Sequence, residues 1–137
     1  MLSLIGLKTI TNNYQSYSRG EKRNIMEVKK INFSVRLLPL ICYEIIYTGN
    51  IFYDIDFDFI VNISEDGWFG QSIGPYQHFT HSIYRAIESG KYVLRSANNG
   101  ITAIVNPLGV IEDQVDINQS GFVDLSKIKK IESTIFS

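Results

Sequence analysis

Leu37-Leu38-Pro39-Leu40-Ile41-Cys42-Tyr43-Glu44 decides the reading of this chain: an apolar run ends at the only cysteine of the 137 residues, and a polar pair follows at once. The spacing predicts a buried strand over Leu37–Cys42 that carries a thiol to the rim of a sheet. A lone cysteine in apolar sequence is ordinarily a small core hydrophobe. Two features favour a nucleophile. Side chains alternate along a strand, so Cys42 and Glu44 are expected on one face, with a carboxylate sharing the thiol's pocket. A second apolar strand, Phe57–Ile63, leads through Asn62-Ile63-Ser64-Glu65-Asp66-Gly67-Trp68-Phe69-Gly70, so two strands bring polar loops to one edge. A thiol on a sharp turn there is held rigidly, beside backbone N–H groups able to meet developing negative charge.

Outward from that run, Asn24–Val35 reads as a strand with a turn near Lys30-Ile31-Asn32, and Thr11–Arg23 has no period and reads as loop. Gly49-Asn50 breaks the chain, and Ile51–Ile55 reads as a short helix or an irregular crossover. Phe57–Ile63 is apolar apart from Asp58, as in a strand buried on both faces. Pro75 suits a first helical turn and Gly90 a stop, which predicts a helix over Gly74–Ser89 whose core stripe is Tyr76, Phe79, Ile83, Ala86 and Ile87. Tyr92–Ser96 and Ile101–Val105 are expected as strands of a hairpin across Asn98-Asn99-Gly100, with Asn-Gly supplying positive φ. Pro107-Leu108-Gly109 marks a turn, Val110–Ile117 a strand and Gly121–Leu125 a last strand. Strand, helix and strand with appended hairpins imply an α/β domain with a mixed sheet.

A chain of this size makes one domain, and its 45% apolar and 20% charged residues are ordinary for a globular protein. A formal charge of −1, with lysines and acids intermixed, provides no basic face for nucleic acid and no polybasic membrane patch. One cysteine excludes an internal disulfide. Met1–Leu7 lacks the pattern of a signal peptide, and no apolar run approaches the ~20 residues of a bilayer span.

Five blocks in order carry a resemblance: Pro39-Leu40-Ile41-Cys42-Tyr43-Glu44-Ile45, Trp68-Phe69-Gly70, Ser72-Ile73-Gly74-Pro75-Tyr76-Gln77-His78-Phe79, Arg85-Ala86-Ile87-Glu88, and Leu94-Arg95-Ser96-Ala97-Asn98-Asn99-Gly100-Ile101-Thr102-Ala103. They resemble the nitrilase-type domain of the apolipoprotein N-acyltransferase family. The cysteine block alone marks the carbon–nitrogen hydrolase superfamily. The Gly-Pro-aromatic-Gln-His-Phe and Arg-Ser-x-Asn-Asn-Gly blocks mark the acyltransferase branch. The motifs run from about Arg36 to Val110. The resemblance is placed over 24–125 of a single partial domain spanning 1–137, with 1–23 a poorly defined leading segment.

The resemblance implies a partial αββα sandwich with a mixed sheet, no cofactor and no metal. It also implies a phospholipid acyl donor, a lipoprotein acceptor, and a place at the bacterial inner membrane with the catalytic domain on its outer side. The family's transmembrane helices have no counterpart here, so the chain as written is expected to be cytoplasmic. The superfamily uses a glutamate, a lysine and a cysteine. The first two lie upstream of the cysteine, and Lys8, Glu21 and Lys22 lack their flanking motifs. The chain is therefore expected to be a fragment, inactive by itself, whose partner is the rest of the enzyme and whose uncovered sheet is exposed. A soluble amidase or nitrilase and an inactive remnant are the competing readings.

Cys42 is the expected nucleophile. Glu44 is either an auxiliary carboxylate or a buried acid hydrogen-bonded to backbone, and the backbone N–H of Tyr43 is expected to line an oxyanion hole while its ring packs. Trp68 and Phe69 are read as a substrate loop, as a lid over lipid chains or as loop anchors, with packing the favoured role. Family members usually carry asparagine and alanine near Glu65 and Gly67. His78 and His81 stand three apart on the polar face of the helix, a spacing that suits two metal ligands, but a solvated or hydrogen-bonded face shared with an Arg85–Glu88 pair is the expected role.

Overall fold

In the computed structural model, which describes residues 24–49 and 56–128, six strands lie side by side in chain order: β1 (Met26–Lys30), β2 (Phe33–Ile41), β3 (Phe59–Glu65), β4 (Tyr92–Asn98), β5 (Thr102–Val105) and β6 (Ile111–Val115). β2, β3 and β4 are mutually parallel, and β1, β5 and β6 add antiparallel. The mixed α/β sheet read from the sequence is the one observed. Helix α1 (Gly74–Ser89) is the crossover between β3 and β4, and Gly90 closes it in the left-handed conformation, φ +64°. The stretch Ile51–Ile55 and the segment 1–23 lie outside the described residues.

Alternation along the strands makes two faces. Leu38, Leu40, Ile60, Val93, Ala103 and Val105 turn toward α1 and are buried there with Phe79, Ala86 and Ile45. Each leucine, isoleucine, valine and phenylalanine among them contributes about 1.5–3 kcal/mol. On the opposite face Phe59, Tyr92 and Ile104 pack with Val35, Leu37 and Leu94 beneath Val123 and Leu125. Toward the β1–β2 side that face is open among the described residues. Met26, Val28, Phe33, Ile41 and Ile63 are all exposed.

Several sequence expectations change. Gly121–Leu125 forms no strand: it crosses the second face, where Val123 and Leu125 are useful as cover rather than as ladder partners. Phe33–Val35 belongs to the same strand as Leu37–Ile41, after a turn at Ile31-Asn32. In β3 burial on both faces gives way to exposure at Ile63. At the β4–β5 turn Asn99 takes the positive φ, +54°, whereas Gly100 does not. The helix is also rotated from its apolar stripe. Its buried face is Pro75, His78, Phe79, Ser82, Arg85, Ala86 and Ser89, and Tyr76 and Ile87 face outward. Hydrogen bonds from His78 Nδ1 to Asp66, from Arg85 to Tyr47 O and from Ser89 Oγ to Arg85 O offset part of the desolvation of that face.

Candidate functional site

β2 ends at Ile41, and Cys42 opens a 3-10 turn, Cys42–Ile46, with a φ of +49°. Strand alternation therefore stops one residue too early to set Glu44 beside the thiol. The Glu44 carboxylate folds back to accept a 2.7 Å hydrogen bond from the Ile41 N–H, so it is bonded to backbone as expected but is half-buried rather than buried. The Tyr43 ring lies over His78 and Phe69, with centroids 5.2 and 6.4 Å apart. That ring makes these contacts while remaining 52% exposed.

The side chain that meets the thiol comes from β3. In the parallel register Ile41 stands beside Ile63, so Asn62 and Ser64 flank the exit of β2 on the helix-facing side. Ser64 Oγ is 3.7 Å from Cys42 Sγ and 2.7 Å from Asp66 Oδ1. A hydroxyl has one proton, and the shorter contact to a carboxylate takes it.

Beneath this pair sits a buried polar cluster that the sequence reading missed. Asp66 accepts from Arg95 Nη2 at 2.7 Å and from His78 Nδ1 at 2.9 Å. Arg95 also donates through Nη1 to Asn62 Oδ1 and through Nε to Ile101 O at 3.2 Å. Asp66, Arg95, Asn62 and His78 are almost inaccessible to solvent. Burial pushes the Asp66 carboxyl up, but hydrogen bonds from His78 and Ser64 and the charge of Arg95 outweigh it and hold the group below its ordinary value. Burial pushes the Arg95 guanidinium down, and the charge and hydrogen bond of Asp66 oppose it. A buried cation from β4 is thus linked to the thiol through Asp66 and Ser64.

His78 is therefore a core residue, while His81 is half-exposed and lowered by burial and by the neighbouring Arg85 and His78. Arg85 and Glu88 do pair, at 2.7 Å, and they also hold the loop after the cysteine turn: Arg85 donates to Tyr47 O, and Glu88 accepts from Gly49 N at 2.9 Å. Among the described residues no group of three or more His, Cys, Asp or Glu side chains could hold a metal ion.

Trp68 is 89% exposed, which corrects the expectation that it packs. Its neighbour Phe69 packs instead, with its ring 5.6 Å from that of His78 and against the start of α1 at Gly74. The turn holding both is set by Glu65, which accepts from Gly67 N at 2.7 Å and Asn98 Nδ2 at 2.5 Å and is lowered by those bonds. The sequence signal for the cluster was the polar residue at every second position of Asn62-x-Ser64-x-Asp66. Alternation sends all three to one face, and only buried partners on other elements explain them. A cavity of about 340 Å³ lies between α1 and the two short turns, lined by Tyr43, Phe69, His78, His81 and Tyr84 among others.

Comparison with known proteins agrees with this architecture. The chain is 40% identical over 134 residues to the apolipoprotein N-acyltransferase of Rickettsia bellii, covering 93% of this chain and 26% of that protein. It is 39% identical to that of Rhizobium leguminosarum over 90% of this chain and 23% of the relative, and 48% identical to that of Wigglesworthia glossinidia over 61% and 17%. The chain spans about a quarter of the length of the first two curated relatives. A solved structure of a CN-hydrolase superfamily protein from Xanthomonas campestris superposes with a TM-score of 0.55 at 21% identity, covering 75% of this chain and 43% of that one, a likeness of fold. The carbon-nitrogen hydrolase family model matches residues 9–126, and the chain belongs to that family.

Proposed function

We propose that this chain carries the nucleophile of an acyl-transferring carbon–nitrogen hydrolase that acylates the N-terminus of lipoproteins at a membrane. The observation that carries this reading is Cys42 on a left-handed turn at the end of a parallel strand, its sulfur against Ser64 and a buried charge cluster. The similarity to apolipoprotein N-acyltransferases supplies the substrate class.

In this reading the Cys42 thiol gives its proton to a base and the sulfur attacks the carbonyl carbon of a phospholipid ester. The tetrahedral adduct collapses, the carbon–oxygen bond breaks, and the lysophospholipid leaves with a proton. The free amine of a diacylglyceryl cysteine then attacks the thioester, the carbon–sulfur bond breaks, and the thiol is restored. In this reading the family's glutamate and lysine act as base and oxyanion stabiliser. Without them this chain alone loses a proton-transfer contribution of ~10²–10⁴-fold and an oxyanion contribution of ~10²–10³-fold.

No helix among the described residues is long and apolar enough to cross a membrane. The experiment is incubation with phospholipid vesicles and a diacylglyceryl peptide, with and without the co-expressed remainder of a related enzyme. Mass spectrometry should find an acyl thioester on Cys42 and N-acylated peptide only in the complemented sample. Product formed equally by the Cys42→Ala variant would overturn the assignment.

A further inference from the structure

Cys42 has a β-carbon yet holds a φ of +49°, a conformation that such residues adopt only when their surroundings impose it. The surroundings here are specific. Asn62 Nδ2 donates to the carbonyl of Leu40 at 2.9 Å and to that of Cys42 at 3.3 Å, so one amide grips the backbone on both sides of Ile41 where β2 becomes a turn. The orientation of that amide is fixed by chemistry. A guanidinium only donates, so Arg95 Nη1 takes Asn62 Oδ1 and leaves the NH₂ group facing the two carbonyls. Arg95 cannot swing away, because Nη2 is tied to Asp66 and Nε to Ile101 O. Asn62 and Arg95 are essentially inaccessible, so water does not compete for these bonds.

We infer that Asn62, oriented by Arg95, is the positioning residue of Cys42: the pair clamps the Leu40 and Cys42 carbonyls and so imposes the left-handed turn that presents the thiol. The Arg95–Asp66–Ser64 arm reaches the sulfur itself, so one guanidinium steadies both the backbone and the side chain of the same residue. The catalytic meaning of the clamp rests on the reading of Cys42 as nucleophile, but its existence does not.

The test is a double-mutant cycle on the full chain that needs no substrate. Cys42→Gly and Cys42→Ala are compared by equilibrium urea denaturation in the native background and in Asn62→Ala. The cycle cancels the general difference between glycine and alanine and leaves only the cost of the imposed conformation. The advantage of glycine over alanine should be about 5- to 30-fold larger in the unfolding constant when Asn62 is present. Arg95→Lys keeps the charge, loses the planar fork, and should erase the same advantage. If Asn62→Ala does not fold, Asn62→Asp carries the comparison, since it keeps an oxygen for Arg95 and lacks the N–H donor. An Asn62 that serves stability alone would lower every curve equally and leave the glycine–alanine difference unchanged, which overturns the inference. A missing acyl thioester would count against the acyl-transfer reading and leave the outcome of this cycle as it stands.

Discussion

A β-carbon on Gly100 would stand 2.7 Å from both Cβ and Cγ of Asp66, closer than non-bonded carbons pack. Asp66 cannot retreat, because Arg95, His78 and Ser64 hold its two oxygens. Glycine is needed here for space and not for its dihedral freedom. Gly100→Ala should therefore cost about 1–3 kcal/mol in urea denaturation. Gly49→Ala, at φ +74° with open space around it, should cost only the left-handed strain of ~1–2 kcal/mol. A neutral Gly100→Ala would show that the carboxylate has room to move.

Asp66 makes stability depend on acid. Its folded value lies below the ordinary one, so its contribution is complete above the unfolded value of about 3.9 and is lost as pH falls through the lower folded value. Urea midpoints measured from pH 7 down to 2 should fall below about pH 4. Asp66→Asn should remove that part of the acid limb and cost about 3–5 kcal/mol at neutral pH, because Arg95 is then buried without its carboxylate. An acid limb of unchanged depth in the variant would assign it to other carboxylates.

Trp68 and Phe69 should separate cleanly. Trp68→Ala is expected to change stability by no more than about 0.5 kcal/mol, since the ring touches mainly solvent. Phe69→Ala should destabilise measurably, because its ring fills the space between Tyr43, His78 and Gly74. As the sole tryptophan, Trp68 should show red-shifted, readily quenched emission in buffer. A blue shift on adding phospholipid vesicles would support a lipid-facing loop, and unchanged emission would count against it.

The open sheet face should make the isolated chain self-associate. Met26, Val28, Phe33, Ile41 and Ile63 form an exposed apolar surface beside the edge strand β1, the arrangement expected to pair with other chains. Sedimentation velocity at micromolar concentration should show species larger than a monomer. Val28→Lys with Ile63→Lys should shift them toward monomer. A monodisperse, cooperatively melting wild-type monomer would mean that this face needs no cover.

The sequence alone determined the alternation of strand, helix and strand, the mixed sheet, and a cysteine at the end of a central strand. Those features follow from local periodicity and from glycine and proline signals, which neighbours along the chain supply. It also carried the motifs that place the chain in its family. Tertiary structure alone decided that the strand stops before Cys42, which separates Glu44 from the thiol and returns it to the Ile41 N–H. It also decided that His78 and Arg85 face the core while Tyr76 and Ile87 face outward, since partners 12 and 38 residues away, Asp66 and Tyr47, satisfy the buried groups. The Asp66–Arg95–Asn62 cluster joins β4 to the end of β3 across an intervening helix. Hydrophobic periodicity records which faces are apolar, and it carries no information about which buried polar groups find one another once those faces close.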